Sequence, residues 1–141
     1  MRLAPVYSDN FKLNIERRAL IKGKPYVVGN GDQKLSLCNI KNIYEAVNYI
    51  VNNSEDEKNN IYNISDSKIY SYNDLLKAIN ASSKIRLPKV GFKLLYLLNS
   101  LTLKKQFIHE NSIKLISDNI YPNGKLASKI QMNNNLRDEV I

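Results

Sequence analysis

Leu3-Ala4-Pro5-Val6-Tyr7, followed by Ser8-Asp9-Asn10, is the stretch from which the fold can be worked out. The apolar run predicts a short buried strand, and the polar residues after it predict a turn whose side-chain oxygens cap a helix. Apolar residues then recur with helical spacing from Phe11 to Ile21, and Gly23 ends this predicted helix. A strand that leads directly into a helix is typical of α/β chains.

The alternation of strand and helix continues along all 141 residues. Tyr26-Val27-Val28 and residues 35–40 predict two strands joined like a hairpin through the turn Gly29–Asp32. The remaining predicted elements are a helix capped by Asn42 and reaching Val51, a strand at 61–64, a helix capped by Ser71 and reaching Ile79, a strand at 84–87, and helices at 91–101, 110–117 and 123–130. The chain is therefore predicted to be one α/β unit.

The composition is that of an ordinary soluble domain with a basic surface. The net charge of +8 comes from 21 Lys and Arg against 13 Asp and Glu. Asn, Ile and Lys are in joint excess, which AT-rich coding DNA produces by itself, and the lysines are scattered. We therefore expect solvated lysines and no nucleic-acid partner. The alternative is a non-enzymatic basic module that binds acidic polymers or RNA.

Few residues could carry catalysis or hold a metal. The single cysteine, Cys38, and the single histidine, His109, exclude a disulfide framework and the common zinc motifs, so no metal site is predicted. Cys38 is expected to pack as a small apolar residue. Tyr121 and Lys125 have Tyr-x-x-x-Lys spacing, but Pro122 and Gly124 lie between them and argue against one helix face. No catalytic residue is predicted.

The helix at 91–101 is strongly apolar, and the stretch around it is too short to span a membrane. The prediction is that this helix packs on a core. There are two less favoured alternatives. One is a helix that lies on a membrane, which is less favoured because the helix lacks a strongly basic polar face, and the other is a contact surface for a structural partner. The amino terminus lacks the apolar segment of a secretory signal, so a cytoplasmic location is expected.

The order of several segments along the chain says more about its family than any single motif does. They are residues 2–7 (Arg-Leu-Ala-Pro-Val-Tyr), 29–31 (Gly-Asn-Gly) with 35–42, 43–47 (Ile-Tyr-Glu-Ala-Val), 61–65 (Ile-Tyr-Asn-Ile-Ser), 72–76 (Tyr-Asn-Asp-Leu-Leu) and 118–126. In this order they resemble the carboxy-terminal half of the NAD-dependent epimerase/dehydratase family, the extended short-chain dehydrogenases. The family's strand Arg-Pro-x-Asn-Val-Tyr-Gly corresponds to the first segment, and its hairpin Gly-x-Gly-x-x-x-Arg-Asp-Phe-Val-His-Val-x-Asp to the second.

The resemblance implies a substrate-binding lobe together with the last strand and helix of an incomplete Rossmann-type domain. The glycine-rich NAD-binding loop and the catalytic Tyr-x-x-x-Lys would lie before Met1, so the chain is expected to be inactive alone. Either the reading frame is truncated or split, or the lobe docks onto a separate amino-terminal Rossmann chain. The complete enzyme would be a nucleotide-sugar epimerase, dehydratase or reductase of the UDP-glucose 4-epimerase type, which passes a hydride between the sugar and NAD.

The resemblance also implies which residues meet the ligands. The strand with Leu3 and Pro5 would pass beside the nicotinamide of NAD, and Pro5 also beside the sugar diphosphate. Val28 would lie against the nucleotide base, and the hairpin residues Lys34, Leu35 and Leu37 would line the substrate.

The sequence departs from the family pattern at four positions. They are Pro5 for the motif's Asn, Ser8 for its Gly, Leu35 for the hairpin Arg, and Asn42 for the Asp at the helix start. Because Leu35 cannot bind a diphosphate, the neighbouring Lys34 is the candidate to supply the missing charge.

Overall fold

The structure is a computed structural model that describes residues 1–136. Within them, nine short strands pair in four small sheets. The strands are β1 (Arg2–Leu3), β2 (Val6–Tyr7), β3 (Leu20–Ile21), β4 (Lys24–Val28), β5 (Lys34–Leu35), β6 (Cys38–Asn39), β7 (Asn63–Ile64), β8 (Tyr70–Ser71) and β9 (Ile85–Leu87). The helices are α1 (Leu13–Ala19), α2 (Ile40–Asn52), α3 (Ser54–Glu57), α4 (Tyr72–Ala78), α5 (Lys89–Leu98), α6 (Gln106–Ile116) and α7 (Gly124–Ala127), and a π-helical turn (Asn99–Leu103) follows α5. The predicted mixed α/β class is confirmed.

The amino-terminal segment contributes to two parallel strand pairs. β1 pairs with β7, in the register Leu3 opposite Ile64, and β2 pairs with β6, in the register Val6 opposite Cys38. Between them, Ala4 donates its N–H to the carbonyl of Ile64 at 3.0 Å and Pro5 accepts one from Cys38 at 3.0 Å. Pro5 has no N–H to donate, so it fits the point where the segment passes from one partner strand to the other.

The predicted hairpin between Tyr26–Val28 and residues 35–40 is wrong. β4 pairs instead with β3 (antiparallel) and with β9 (parallel), while β5 pairs with β8 and β6 with β2. Lys22 and Gly23 explain the β3–β4 pairing, because both have positive φ angles (49° and 76°), as tight hairpin turns require. The same turn removes Leu20 and Ile21 from the predicted first helix.

Of the three predicted helix caps, one is confirmed and two are wrong. Ser71 caps α4 in a full capping box: its hydroxyl accepts the N–H of Asp74, whose carboxylate accepts the N–H of Ser71 at 2.8 Å. The predicted caps of the first two long helices are wrong. α1 begins after Lys12 with no side-chain cap, and α2 is capped by Asn39, three residues before Asn42.

Within residues 1–136, two clusters of buried apolar side chains stabilise the fold. The first core contains Tyr7, Ile15, Ala19, Val27, Leu35, Leu37, Tyr70, Tyr72, Leu75, Leu76, Ala78 and Leu136. The second core contains Ala4, Cys38, Ala46, Tyr62, Ile64, Leu126 and Met132. β2 and β6 join the two cores, because Tyr7 lies in the first and Cys38 in the second.

The segment from Lys89 to Ile116 forms a helical hairpin of α5, the π-helical turn and α6, called here the α5–α6 hairpin. The predicted packing of its first helix on a core is wrong, because α5 has no buried residue. Its helices contact each other: the Tyr96 and His109 rings lie 4.9 Å apart, and the Asn99 amide bonds the backbone N–H and carbonyl of Lys105. In the part of the chain that the structure describes, no helix has the length and apolar character needed to cross a bilayer.

Candidate functional site

A cleft lies at the end of β4, where the chain turns through Gly29–Asp32. Its volume is about 320 Å³, and its walls are Gly29, Asn30, Asp32, Gln33, Lys89 and Asp118. These residues come from three distant parts of the sequence: the turn after β4, the first residue of α5, and the segment after α6. Tertiary folding therefore assembles the cleft.

The turn at the edge of the cleft needs glycine at two positions. Gly29 and Gly31 have φ angles of +63° and +78°, a region that side chains disfavour. A Cβ at Gly31 would lie 2.9 Å from the side-chain oxygen of Asn73 and 3.0 Å from a methyl carbon of Val27. Asn73, at the start of α4, also donates its amide to the carbonyl of Asn30 at 2.9 Å. The loop is thus held against α4 by close packing and hydrogen bonds.

Gln33 is the residue in the cleft wall with an unsatisfied polar atom. Its side-chain NH₂ donates to the carbonyls of Val28 (3.1 Å) and Leu115 (3.2 Å), which fixes the amide in place. Its Oε1 is buried and, within residues 1–136, has no hydrogen-bond partner. A buried acceptor without a partner costs about 1–3 kcal/mol. A ligand that brings an N–H or O–H to this oxygen would recover that cost.

Charges of both signs surround the cleft. Asp32 and Asp118 supply carboxylates, and Lys89 supplies a cation. Lys34 lies next to the cleft wall: its N–H bonds the Asp118 carboxylate at 2.8 Å, and its carbonyl accepts from Asn119 at 2.7 Å, so the backbone is fixed and the side chain is exposed. Within residues 1–136, neither the Lys34 nor the Lys89 ammonium forms an ion pair. Both remain available to an anionic group.

The predicted ligand-binding residues fall into two groups. Val28, Leu35 and Leu37 are buried, at 3%, 2% and 0% exposure, so their side chains belong to the protein interior. Lys34 is the hairpin residue whose side chain reaches solvent.

The two residues predicted to lie near the nicotinamide are on the β1–β2 segment. Leu3 is 43% exposed and Pro5 is half-buried, and neither forms part of the cleft wall. None of the six predicted residues lines the cleft: Lys34 adjoins its wall through Gln33 and Asp118, while Leu3 and Pro5 lie on another surface.

None of the six residues that line the cleft was among the predicted site residues, although Gly29, Asn30 and Asp32 were predicted to form the turn after β4. Asp118 opens one of the segments that carry the family resemblance, so its position was a usable signal. Gln33 and Lys89 gave no signal of a functional site in the sequence, because a single glutamine in a turn and a lysine at a helix start are common surface residues.

Asp66 is a second polar centre, and it is structural. It is 3% exposed, and its Oδ1 accepts hydrogen bonds from the Asn39 N–H (2.7 Å) and the Asn42 amide (2.8 Å). Its Oδ2 accepts from the hydroxyls of Tyr7 (2.8 Å) and Tyr70 (2.9 Å). Burial raises the pKa of Asp66. With four donors around it and almost no exposure, this carboxyl joins β2, α2 and β8 and leaves no room for a substrate.

The other candidate reactive groups show no catalytic arrangement. Cys38 is fully buried, and burial raises the pKa of its thiol to about 12, so it is an apolar packing residue as predicted. Tyr121 precedes α7, while the Lys125 ammonium bonds the Asn60 side chain at 2.7 Å and lies over the Tyr62 ring. Tyr121 and Lys125 therefore do not share a helix face.

No family model matches this chain, and the search of curated proteins gave no match either.

Proposed function

We propose that this chain is the carboxy-terminal, substrate-binding part of an NAD-dependent nucleotide-sugar epimerase or dehydratase. The observation that carries the proposal is the parallel pairing of β1 with β7 and of β2 with β6. These four strands come from the three segments that resemble strands of the family. The resemblance implies a parallel sheet at the first segment, so this pairing supports the proposal.

An open strand edge supports the idea of a missing cofactor domain. The N–H groups of Arg2 and Ala4 donate to the carbonyls of Tyr62 and Ile64 on one side of β1. Because alternate residues of a strand in a parallel pair bond to the same neighbour, the backbone groups of Leu3 face the other side. Leu3 as a residue is 43% exposed. A further strand of a Rossmann-type sheet, carrying the NAD site, would cover this edge.

The cleft supplies groups of the kind that a nucleotide sugar needs. Lys34 and Lys89 would bind the diphosphate by charge-assisted hydrogen bonds. The Gln33 Oε1 and the carboxylates of Asp32 and Asp118 would accept hydrogen bonds from the base, the ribose and the sugar hydroxyls. None of these side chains is placed as an acid–base pair, so we expect binding without turnover by this chain alone.

The test is calorimetric titration of the purified chain with UDP-, GDP- and dTDP-linked sugars. We expect selectivity for one nucleotide and a loss of affinity of about tenfold in Lys34→Ala and in Lys89→Ala, as for one charge-assisted phosphate contact. Lys58→Ala, at an exposed lysine outside the cleft, is the matched control and should bind normally.

Two results would contradict the proposal. One is the absence of heat or of thermal stabilisation with every nucleotide sugar. The other is tight binding of RNA or heparin that falls steeply with salt and does not depend on Lys34 or Lys89, which would favour the basic binding module. The DNA upstream of the Met1 codon gives an independent check, because the proposal expects a glycine-rich loop and a Tyr-x-x-x-Lys motif to be encoded there.

A further inference from the structure

The α5–α6 hairpin has an exposed apolar face. Val90, Leu94, Leu97 and Leu101 follow one another at intervals of four, three and four residues, which places them on one side of a helix. Their exposed fractions are 74%, 55%, 53% and 68%. Phe107, just beyond the tip of the hairpin at the start of α6, is 79% exposed. Such exposure of five large apolar side chains on one element marks an interaction surface.

The opposite side of α5 is occupied by α6. Tyr96 stacks against His109, and Asn99 bonds Lys105, so these two positions of the first helix and its extension face the second helix. At 100° per residue, they lie roughly opposite the stripe of Val90, Leu94 and Leu101. The apolar face is therefore turned away from the partner helix, and nothing within residues 1–136 buries it.

The α5–α6 hairpin is also basic. Residues 89–116 contain five lysines and one glutamate, so they carry a net charge of +4. Lys93 lies beside the apolar stripe on α5, and Lys104 and Lys105 lie at the hairpin tip, all three exposed. Within residues 1–136, none of their ammonium groups forms an ion pair.

These two properties favour one kind of partner. A second copy of the chain would bring two hairpins of net charge +4 together, each with Glu110 as its single carboxylate, which is unfavourable. RNA would be matched by clustered arginines and aromatic rings, whereas this segment exposes mainly leucine and lysine. An anionic lipid surface suits both properties, because leucines enter the acyl boundary while lysines remain among the headgroups.

We propose that the α5–α6 hairpin binds the surface of an anionic lipid bilayer through the α5 apolar stripe and the residues of the tip. The ten residues of α5 span about 15 Å, half of the hydrocarbon core, so the helix lies in the interface. The apolar stripe and the tip are not among the residues that line the cleft, to which the hairpin contributes Lys89, and the proposal does not depend on the nucleotide-sugar function.

The first experiment is flotation of the full chain with vesicles of phosphatidylcholine alone or with about 30% phosphatidylglycerol. We expect binding to the anionic vesicles, little to the neutral ones, and weakening as salt rises. The double variant Leu101→Glu/Phe107→Glu should lose binding by more than about tenfold, because it places two charges in the apolar contact. Ile40→Glu/Val51→Glu is the matched control on α2, where both side chains are also exposed, and it should bind as the wild type does.

Two further variants test the charge and the depth of insertion. Each lysine removed in Lys104→Gln/Lys105→Gln should weaken binding about fivefold, whereas Lys22→Gln/Lys24→Gln should change it less. The chain has no tryptophan, so Phe107→Trp provides a single reporter. Its emission should shift to the blue with anionic vesicles, and the emission of Val51→Trp should not. Circular dichroism confirms that each variant is folded.

Three outcomes would overturn this proposal. One is the absence of flotation with anionic vesicles. Another is RNA binding that survives Leu101→Glu/Phe107→Glu while vesicle binding is absent. The third is a dimer in sedimentation experiments that dissociates with Leu101→Glu and does not bind lipid.

Discussion

Helices α4 and α5 are both rich in leucine, and they use it in opposite ways. α4 has seven residues, of which Tyr72, Leu75, Leu76 and Ala78 are buried in or beside the first core. α5 has ten residues and buries none. The difference shows that apolar residues at helical spacing establish a helix face, whereas the surrounding chain decides whether that face is covered. α4 stabilises the fold, and α5 leaves its apolar face available to a partner.

Buried polar groups also differ between the α5–α6 hairpin and the rest of the described chain, called here the body. In the body, Asp66 and Glu57 are both buried carboxylates, and each accepts hydrogen bonds from four side-chain or backbone donors. In the hairpin, Asn99 is a buried polar residue whose bonds stay within the hairpin, both to Lys105. The polar network of the body therefore links distant segments, and that of the hairpin is local.

The largest effect is expected at Asp66. Asp66→Ala removes the acceptor of four buried hydrogen bonds, and we expect a loss of about 3–5 kcal/mol or failure to fold. Asp66→Asn keeps the shape and two acceptor bonds, so it should cost less. Urea denaturation of the two variants measures the difference. An Asp66→Ala chain as stable as the wild type would contradict the role given to this carboxyl.

A pair of leucine substitutions tests the comparison directly. Leu75→Ala on α4 creates a cavity in the first core and should cost about 2–5 kcal/mol. Leu94→Ala on α5 removes a side chain that is 55% exposed and should change the free energy of unfolding by less than about 0.5 kcal/mol. Thermal melting of both variants measures the two losses of stability. Equal costs would mean that α5 is buried in solution, and the comparison would fail.

Two glycines provide a matched pair with opposite signs. Gly31→Ala should destabilise by about 1–3 kcal/mol, because its φ is +78° and the new Cβ would meet Asn73 and Val27 at 3.0 Å or less. At Gly91, inside α5, an added Cβ would meet only Pro88, at 3.9 Å. Gly91→Ala should therefore stabilise the helix by about 0.5–1 kcal/mol. Denaturation midpoints test both signs, and a stabilising Gly31→Ala would show that the turn is less tightly packed than described.

The last prediction is a dependence of stability on pH. Lys129, 2.5 Å from Glu57 Oε1, and the hydroxyl of Tyr62 lower the pKa of Glu57 to about 2. A carboxyl whose pKa is lower in the folded state stabilises the fold above its unfolded pKa of about 4.5, and the contribution is lost as the pH falls through about 2.

Thermal melting between pH 7 and pH 2 tests this effect. Glu57→Gln should melt below the wild type at pH 7, and the gap should close as the pH falls. Glu55→Gln, at an exposed carboxylate on the same short helix, is the control and should show no such gap. A gap that widens in acid would reverse the assigned sign.

Much of the secondary structure could be predicted from local patterns, and the errors have physical causes. The capping box at Ser71 and the strand at Ile85–Leu87 were predictable, because each depends on neighbouring residues. The hairpin across Gly29–Asp32 could not be excluded from the sequence, because glycines with positive φ serve equally in a hairpin and in a loop held by Asn73. Local spacing predicts Asn42 as a helix cap, whereas its actual partners, Asp66 and Asn134, are distant in the sequence.

The amino-acid sequence by itself determined the α/β class, the burial of Cys38 and the excess of positive charge. These depend on composition and on neighbours within a few residues. Only the tertiary structure decided which strands pair, which leucine-rich helix is covered, and that Gln33, Lys89 and Asp118 meet in one cleft. The reason is that hydrogen bonds between strands and the burial of apolar surface depend on residues far apart in the sequence, and local spacing carries no information about them.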